Sequence, residues 1–159
     1  DFLLVMRQPP LQSNMTNLTL AIDGIQDPGN MGTIIRTADW FGVDEIVCSK
    51  DTVDIFNSKV IQSSMGSLFR IPVRYLDLHN YLSDASRPIY GALLEGGDIY
   101  EKKLHAKCII VIGNEGNGIS KSLCSLIDEP IFIPGKGAAE SLNAAVATGI
   151  VLSEFSRSN

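Results

Sequence analysis

Three loops of this chain set polar side chains where a helix begins, and their residue types suit the handling of a small polar ligand. In the last of them, the apolar Ile131, Phe132 and Ile133 lead into Pro-Gly-Lys-Gly-Ala-Ala-Glu-Ser-Leu-Asn143 and then an apolar run to Leu152. A strand, a loop rich in free backbone N–H groups and a capped helix start make a natural ligand site. On this reading Ser141 N-caps the closing helix and Asn143 sits in its first turn, facing whatever fills the loop. The middle loop, Gly-Asn-Glu-Gly-Asn-Gly over 113–118, follows a buried strand. It is neither a Walker A loop nor a G-x-G-x-x-G loop, and Glu115 would repel phosphate. A carboxylate there suits a hydroxyl-rich or cationic ligand; an ordinary tight turn explains the same glycines equally well. In the first loop Asn30 occupies a turn, and Arg36 falls in the second turn of the helix that follows. An Arg so placed holds a phosphate or ribose oxygen through two parallel hydrogen bonds. A surface ion pair with Asp39 or Glu45 is the equal alternative.

The apolar pattern supplies the elements that carry these loops. Strands are predicted over 18–22, 45–48, 88–94, 107–112 and 130–133, with extended chain over 68–73. Helices are predicted over 31–41, 55–65, 77–85, 120–126 and 141–155, with Gly42 and Gly66 as stops. Glu95-Gly96-Gly97 is expected to end the fourth strand. Alternation of strand and helix implies an α/β domain with a parallel sheet, and the continuous apolar run 108–112 suits a strand buried on both faces.

At 159 residues and 45% hydrophobic content, the chain can build one domain with a real core. A net charge of −5 argues against nucleic-acid binding over the whole surface, leaving a local basic patch or a basic partner domain. The three cysteines are scattered, with no C-x-x-C pair, and read as core residues of a reducing, cytoplasmic protein. His79 and His105 lack metal-ligand spacing, so no metal is expected. No apolar run reaches bilayer length, and no membrane association is expected.

Taken together the loops resemble the three motifs of the SpoU/TrmH-type RNA ribose 2′-O-methyltransferases of the SPOUT superfamily. They read Asp27-Pro-Gly-Asn-Met-Gly-Thr-Ile-Ile-Arg-Thr-Ala-Asp39, Ile112-Gly-Asn-Glu-Gly-Asn-Gly118 and Ile133-Pro-Gly-Lys-Gly-Ala-Ala-Glu-Ser-Leu-Asn-Ala-Ala-Val-Ala-Thr-Gly149. The resemblance implies a parallel-sheet α/β/α sandwich with a C-terminal deep trefoil knot, spanning residues 18–159. Residues 1–17, with Pro9 and Pro10, would then be a linker or the end of a missing N-terminal RNA-binding domain. It further implies S-adenosylmethionine as methyl donor, bound at Leu94, Gly96, Gly113, Glu115, Gly118, Ile133, Leu142 and Asn143. A homodimer is implied, with the first-motif helix and the closing helix near its interface. The implied partner is RNA, ribosomal in preference to transfer RNA.

The same resemblance sets Asn30, Arg36, Glu115, Ser141 and Asn143 around the reacting ribose hydroxyl. An arginine in the position of Arg36 has been proposed as the base in this family, yet a guanidinium is far too weakly acidic to be unloaded for that role. Clamping the adjacent phosphate and stabilising alkoxide charge suits it better. Competing readings are a knotted RNA-binding module without transfer activity, a Rossmann-type nucleotide-binding domain, and a base methylase. The Rossmann fingerprint is missing after the first strand, where Asp-Gly-Ile-Gln-Asp-Pro stands over 23–28.

Overall fold

The computed structural model describes residues 17–158, so the linker expected over 1–17 lies, apart from Asn17, outside the described residues. Six strands form one parallel sheet: β1 (Leu18–Ile22), β2 (Glu45–Cys48), β3 (Val73–Tyr75), β4 (Ile89–Asp98), β5 (Cys108–Ile112) and β6 (Glu129–Phe132). The helices are α1 (Pro28–Trp40), α2 (Ser58–Ser64), α3 (Leu78–Ser83), α4 (Lys121–Cys124) and α5 (Ala144–Ser158). Successive strand residues point to opposite faces, and here both faces are apolar. Leu20, Ile22, Ile46, Ile110 and Ile112 share one core with Ile34 and Ile35 of α1, Val60 of α2 and Leu152 of α5. Ala21, Val47, Ile109 and Val111 share the other with Leu78 and Leu82 of α3 and Leu123 of α4. This is an α/β/α sandwich. Burial pushes the Cys48 and Cys108 thiols up to about 12, so both serve as packing groups at neutral pH.

The strand order is β3-β2-β1-β5-β4-β6. The chain steps outward from β1 to β3, then crosses to the other half of the sheet. Order therefore reverses between β1 and β5, where loops leaving the C-terminal strand ends part and open a crevice. All three motif loops leave the sheet at that edge.

Element boundaries depart from the sequence expectation where tertiary contacts or caps intervene. Helix α1 starts at Pro28, not 31, because Asp27 Oδ1 accepts the Asn30 N–H at 2.7 Å and Pro28 needs no N–H partner in the first turn. Asn30 is thus helical. Helix α2 is shorter than 55–65, capped by Asn57 and ended at Met65, whose φ is 50°. A single 3₁₀ turn, Ser67–Phe69, replaces the first half of the extended segment and delays β3 to Val73. Strand β4 runs through its expected stop. It pairs with β6 at Ala92, bulges, and pairs again at Gly97 and Asp98. A Cβ on Gly96 would lie 2.9 Å from the Pro130 carbonyl, so this glycine permits a close backbone approach instead of ending the strand.

Candidate active site

The crevice floor is built by the middle loop. Gly118, at φ +69°, turns the chain back so that Asn114 and Gly118 exchange N–H···O bonds of 3.0 and 2.9 Å. A Cβ on Gly113 would sit 2.2 Å from the Gly118 carbonyl carbon, which only glycine avoids. Asn114 Nδ2 donates to Gly24 O at 2.7 Å, and Asp23 Oδ2 accepts the Ser120 N–H at 2.7 Å, locking this loop to the end of β1.

Above that floor one side chain from each loop enters a single relay. Asn30 Nδ2 donates to Glu115 Oε1 at 2.7 Å, and Asn143 Nδ2 donates to Asn30 Oδ1 at 2.9 Å. Asn143 Oδ1 in turn accepts the Ala145 and Val146 N–H groups at 2.9 and 3.3 Å. A carboxylate accepts only, so Glu115 dictates which end of each carboxamide faces which neighbour. The cap of α5 is therefore Asn143, and the capping role expected of Ser141 does not hold. Ser141 is exposed, two residues before that cap. Ser and Asn cap about equally well; the contact with Asn30 decides between them.

Arg36 lies exposed on α1, with no hydrogen bond or ion pair among the described residues. Both acids expected as its ion-pair partners are engaged elsewhere. Asp39 accepts from Arg70 Nη2 and Nε at 2.6 and 2.9 Å, and that contact holds its carboxyl below the usual range. Glu45, buried at the opposite strand ends, accepts from Arg74 at 2.5 and 3.1 Å and from Tyr81 at 3.0 Å.

The residues expected to hold a cofactor border the same edge. Leu94 and Gly96 belong to the β4 bulge, Gly113 and Gly118 to the middle loop, and Ile133 and Leu142 to the two ends of the last loop. Leu94, 68% exposed, is an apolar side chain left open on backbone that the bulge withdraws from pairing, and Leu142, 46% exposed, is another at the end of the last loop. A half-apolar ligand with a polar rim fits such a border. A cavity of about 710 Å³ adjoins it between α1 and α5, lined by Asn30, Phe41, Tyr100, Asn143, Val146 and Gly149 among others. Tyr100, in the turn after β4, carries no sequence signal. Among the described residues no group of His, Cys, Asp or Glu side chains could hold a metal ion.

The SpoU rRNA methylase family model matches residues 17–153. The chain belongs to that family. It is 40% identical over 137 residues to 23S rRNA (guanosine(2553)-2′-O)-methyltransferase RlmP of Bacillus subtilis, a match covering 84% of this chain and 55% of that protein. The chain thus spans about half the length of the curated relatives it matches. A TrmH-family structure from Porphyromonas gingivalis superposes with a TM-score of 0.84 at 43% identity, covering 91% of this chain and 61% of that one. An AdoMet-bound rRNA methyltransferase from Sinorhizobium meliloti gives 0.83 at 33%, covering 95% and 61%. The fold is accordingly that of the SPOUT methyltransferases, a parallel α/β/α sandwich with a C-terminal trefoil knot.

Proposed function

We propose that residues 18–159 form the catalytic domain of an S-adenosylmethionine-dependent RNA methyltransferase acting on a ribose 2′-OH, of ribosomal in preference to transfer RNA. The observation that carries this is the Asn143–Asn30–Glu115 relay, which joins one residue from each motif, with an uncommitted Arg36 on the same helix as Asn30. The name of the Bacillus subtilis relative supports both the ribose and the ribosomal choice, and the AdoMet in the Sinorhizobium meliloti structure supports the cofactor.

The border residues fit that cofactor: the Gly96 and Gly113 positions admit no side chain, and Leu94 and Leu142 offer apolar surface. S-adenosylmethionine would supply an electrophilic sulfonium methyl there. Backbone groups of Leu94, Gly96, Gly113, Gly118, Ile133 and Leu142 would hold it, with Glu115 and Asn143 shaping the pocket. Arg36 would clamp a phosphate next to the target ribose and stabilise charge growing on its 2′-oxygen, aligning that oxygen for in-line attack. Ser141, relieved of capping, is free to touch substrate or cofactor.

The active form on this proposal is a cytoplasmic homodimer, joined along the groove between α1 and α5 where Phe41, Tyr100 and Val146 offer apolar surface. A domain joined through residues 1–17 would supply RNA-binding charge that this acidic chain, at −5, lacks.

Calorimetric titration with S-adenosylmethionine, followed by transfer of labelled methyl to unmodified ribosomal RNA and nucleoside analysis, tests the proposal. One site per chain and a 2′-O-methylnucleoside are expected. A base-methylated product, or a folded chain that binds RNA but transfers nothing, overturns it.

A further inference from the structure

The outer spine of α1 carries an aromatic side chain that the site does not use. Trp40 is 83% exposed, the most open of the large apolar side chains among the described residues, and is the chain's one tryptophan. An indole contributes to stability by being buried, so folding alone gives no reason to leave it in water. At 3.6 residues per turn it stands about 40° around the helix and about 6 Å along it from Arg36. Neither residue lines the cavity between α1 and α5. On the other flank α1 meets its neighbours through Gly32, packed against Ser63, and Asp39, bound to Arg70. Arg36 and Trp40 therefore make a small surface of their own. Asp39 is already neutralised, so the Arg36 charge is not offset locally, although the whole chain carries −5.

A free guanidinium for phosphate beside a flat apolar face for a base is what single-stranded nucleic acid recognition uses. A protein partner would want a broader apolar patch than one ring flanked by Thr33, Arg36 and Asp39. We propose that Trp40 is a stacking platform for a nucleobase of the RNA substrate, one neighbouring the nucleotide whose phosphate Arg36 holds. The proposal rests on the methyltransferase reading and extends it to substrate recognition.

A single indole makes the test direct. The chain is titrated at low salt with a fluorescein-labelled, mixed-sequence, single-stranded 12-nucleotide RNA, reading RNA anisotropy and tryptophan emission together. Emission should be quenched in step with the anisotropy rise. Trp40→Ala should weaken RNA binding about tenfold, while Trp40→Phe, which keeps a stacking face, stays within about threefold. S-adenosylmethionine affinity should not move in either variant. Saturating anisotropy with unchanged emission overturns the platform. So does an emission maximum that shifts to the blue with protein concentration alone, which would mean that a second copy covers Trp40. Absence of any anisotropy change overturns it too, while methyl transfer by the same sample decides the functional reading separately.

Discussion

Asn143→Asp separates two tasks that one side chain performs. Asp caps helices as well as Asn does, so the Ala145 and Val146 N–H groups keep their acceptor and α5 keeps its start. The donor is what disappears. Asn30 Oδ1 loses its 2.9 Å hydrogen bond and faces a second oxygen. Turning the Asn30 carboxamide over restores a donor toward position 143 but presents its oxygen to Glu115, now bonded at 2.7 Å. In either arrangement one hydrogen bond is lost and one oxygen–oxygen contact is made. A neutral amide bond contributes about 0.5–1.5 kcal/mol and one to a charged group about 1.5–3 kcal/mol. Asn143 is exposed and its partners half-buried, so the loss should fall near the low end, about 1–2 kcal/mol.

Adding Glu115→Gln should reverse the relay. A glutamine amide can donate to the turned Asn30 oxygen, and Asn30 then donates to the new carboxylate at position 143, so both bonds return with opposite polarity. The double variant should therefore be more stable than Asn143→Asp alone, with a coupling of about 1 kcal/mol in the double-mutant cycle. Urea unfolding followed by circular dichroism measures all four proteins, provided the slopes agree. Additivity within about 0.5 kcal/mol would refute the directional relay. Methyl transfer should not recover with stability, because the carboxylate at position 115 is gone.

Arg36→Ala should abolish methyl transfer while S-adenosylmethionine affinity, by calorimetry, stays within about twofold; parallel loss of cofactor binding would contradict the phosphate-clamp role. Gly113→Ala drives a methyl group into the Gly118–Ile119 peptide and must open the Asn114–Gly118 bridge, so a loss of about 2–4 kcal/mol is expected. A thermal midpoint lowered by less than about 3 °C would show that the loop yields more easily. Arg70 holds the Asp39 carboxyl below its ordinary value, so the pair's contribution is full above about pH 4 and lost as acid protonates Asp39. Arg70 is 58% exposed, which limits the contribution to about 0–1 kcal/mol. Arg70→Gln and the parent should converge in thermal midpoint as pH falls below that range; a gap that widens in acid would contradict the assignment.

The strands were legible because both faces of the sheet are covered, which makes β5 an unbroken apolar run and leaves β1 and β2 apolar but for Thr19 and the leading Glu45. Glycine was the poorer guide. Gly96 and Gly97 read as a stop, yet β4 passes through them because β6 approaches at Pro130, a contact no local pattern encodes. Pro28 and Gly29 read as a turn, although proline in the first helical turn is favourable once Asp27 caps it. The site residues were legible as a set but not in their division of labour. Asn30, Glu115 and Asn143 meet across separations of 85 and 113 residues, and only that meeting assigns the cap to Asn143. The freedom of Arg36 was equally hidden, since it depends on Arg70 and Arg74 taking its acids from 31 and 29 residues away. The knot leaves no trace in periodicity at all; resemblance alone pointed to it.

The last loop differs from the other two in how it is held. Its ends are fixed, Ile133 by following β6 and Asn143 by the helix cap and the relay. Between them residues 134–142 are exposed, and Cβ atoms placed on Gly135 or Gly137 would meet nothing within 4 Å. A segment with fixed ends and no packing of its own can adapt to a ligand without disturbing the sheet, and binding then supplies the contacts it lacks. Amide exchange over 134–142 should therefore slow by about tenfold or more when S-adenosylmethionine binds, while β5 and α1 change little. Equal slowing across the sheet would mean that the ligand stabilises the whole domain. No slowing in the loop, with binding confirmed by calorimetry, would place the cofactor's contacts elsewhere along the edge formed by Leu94, Gly96 and Gly113.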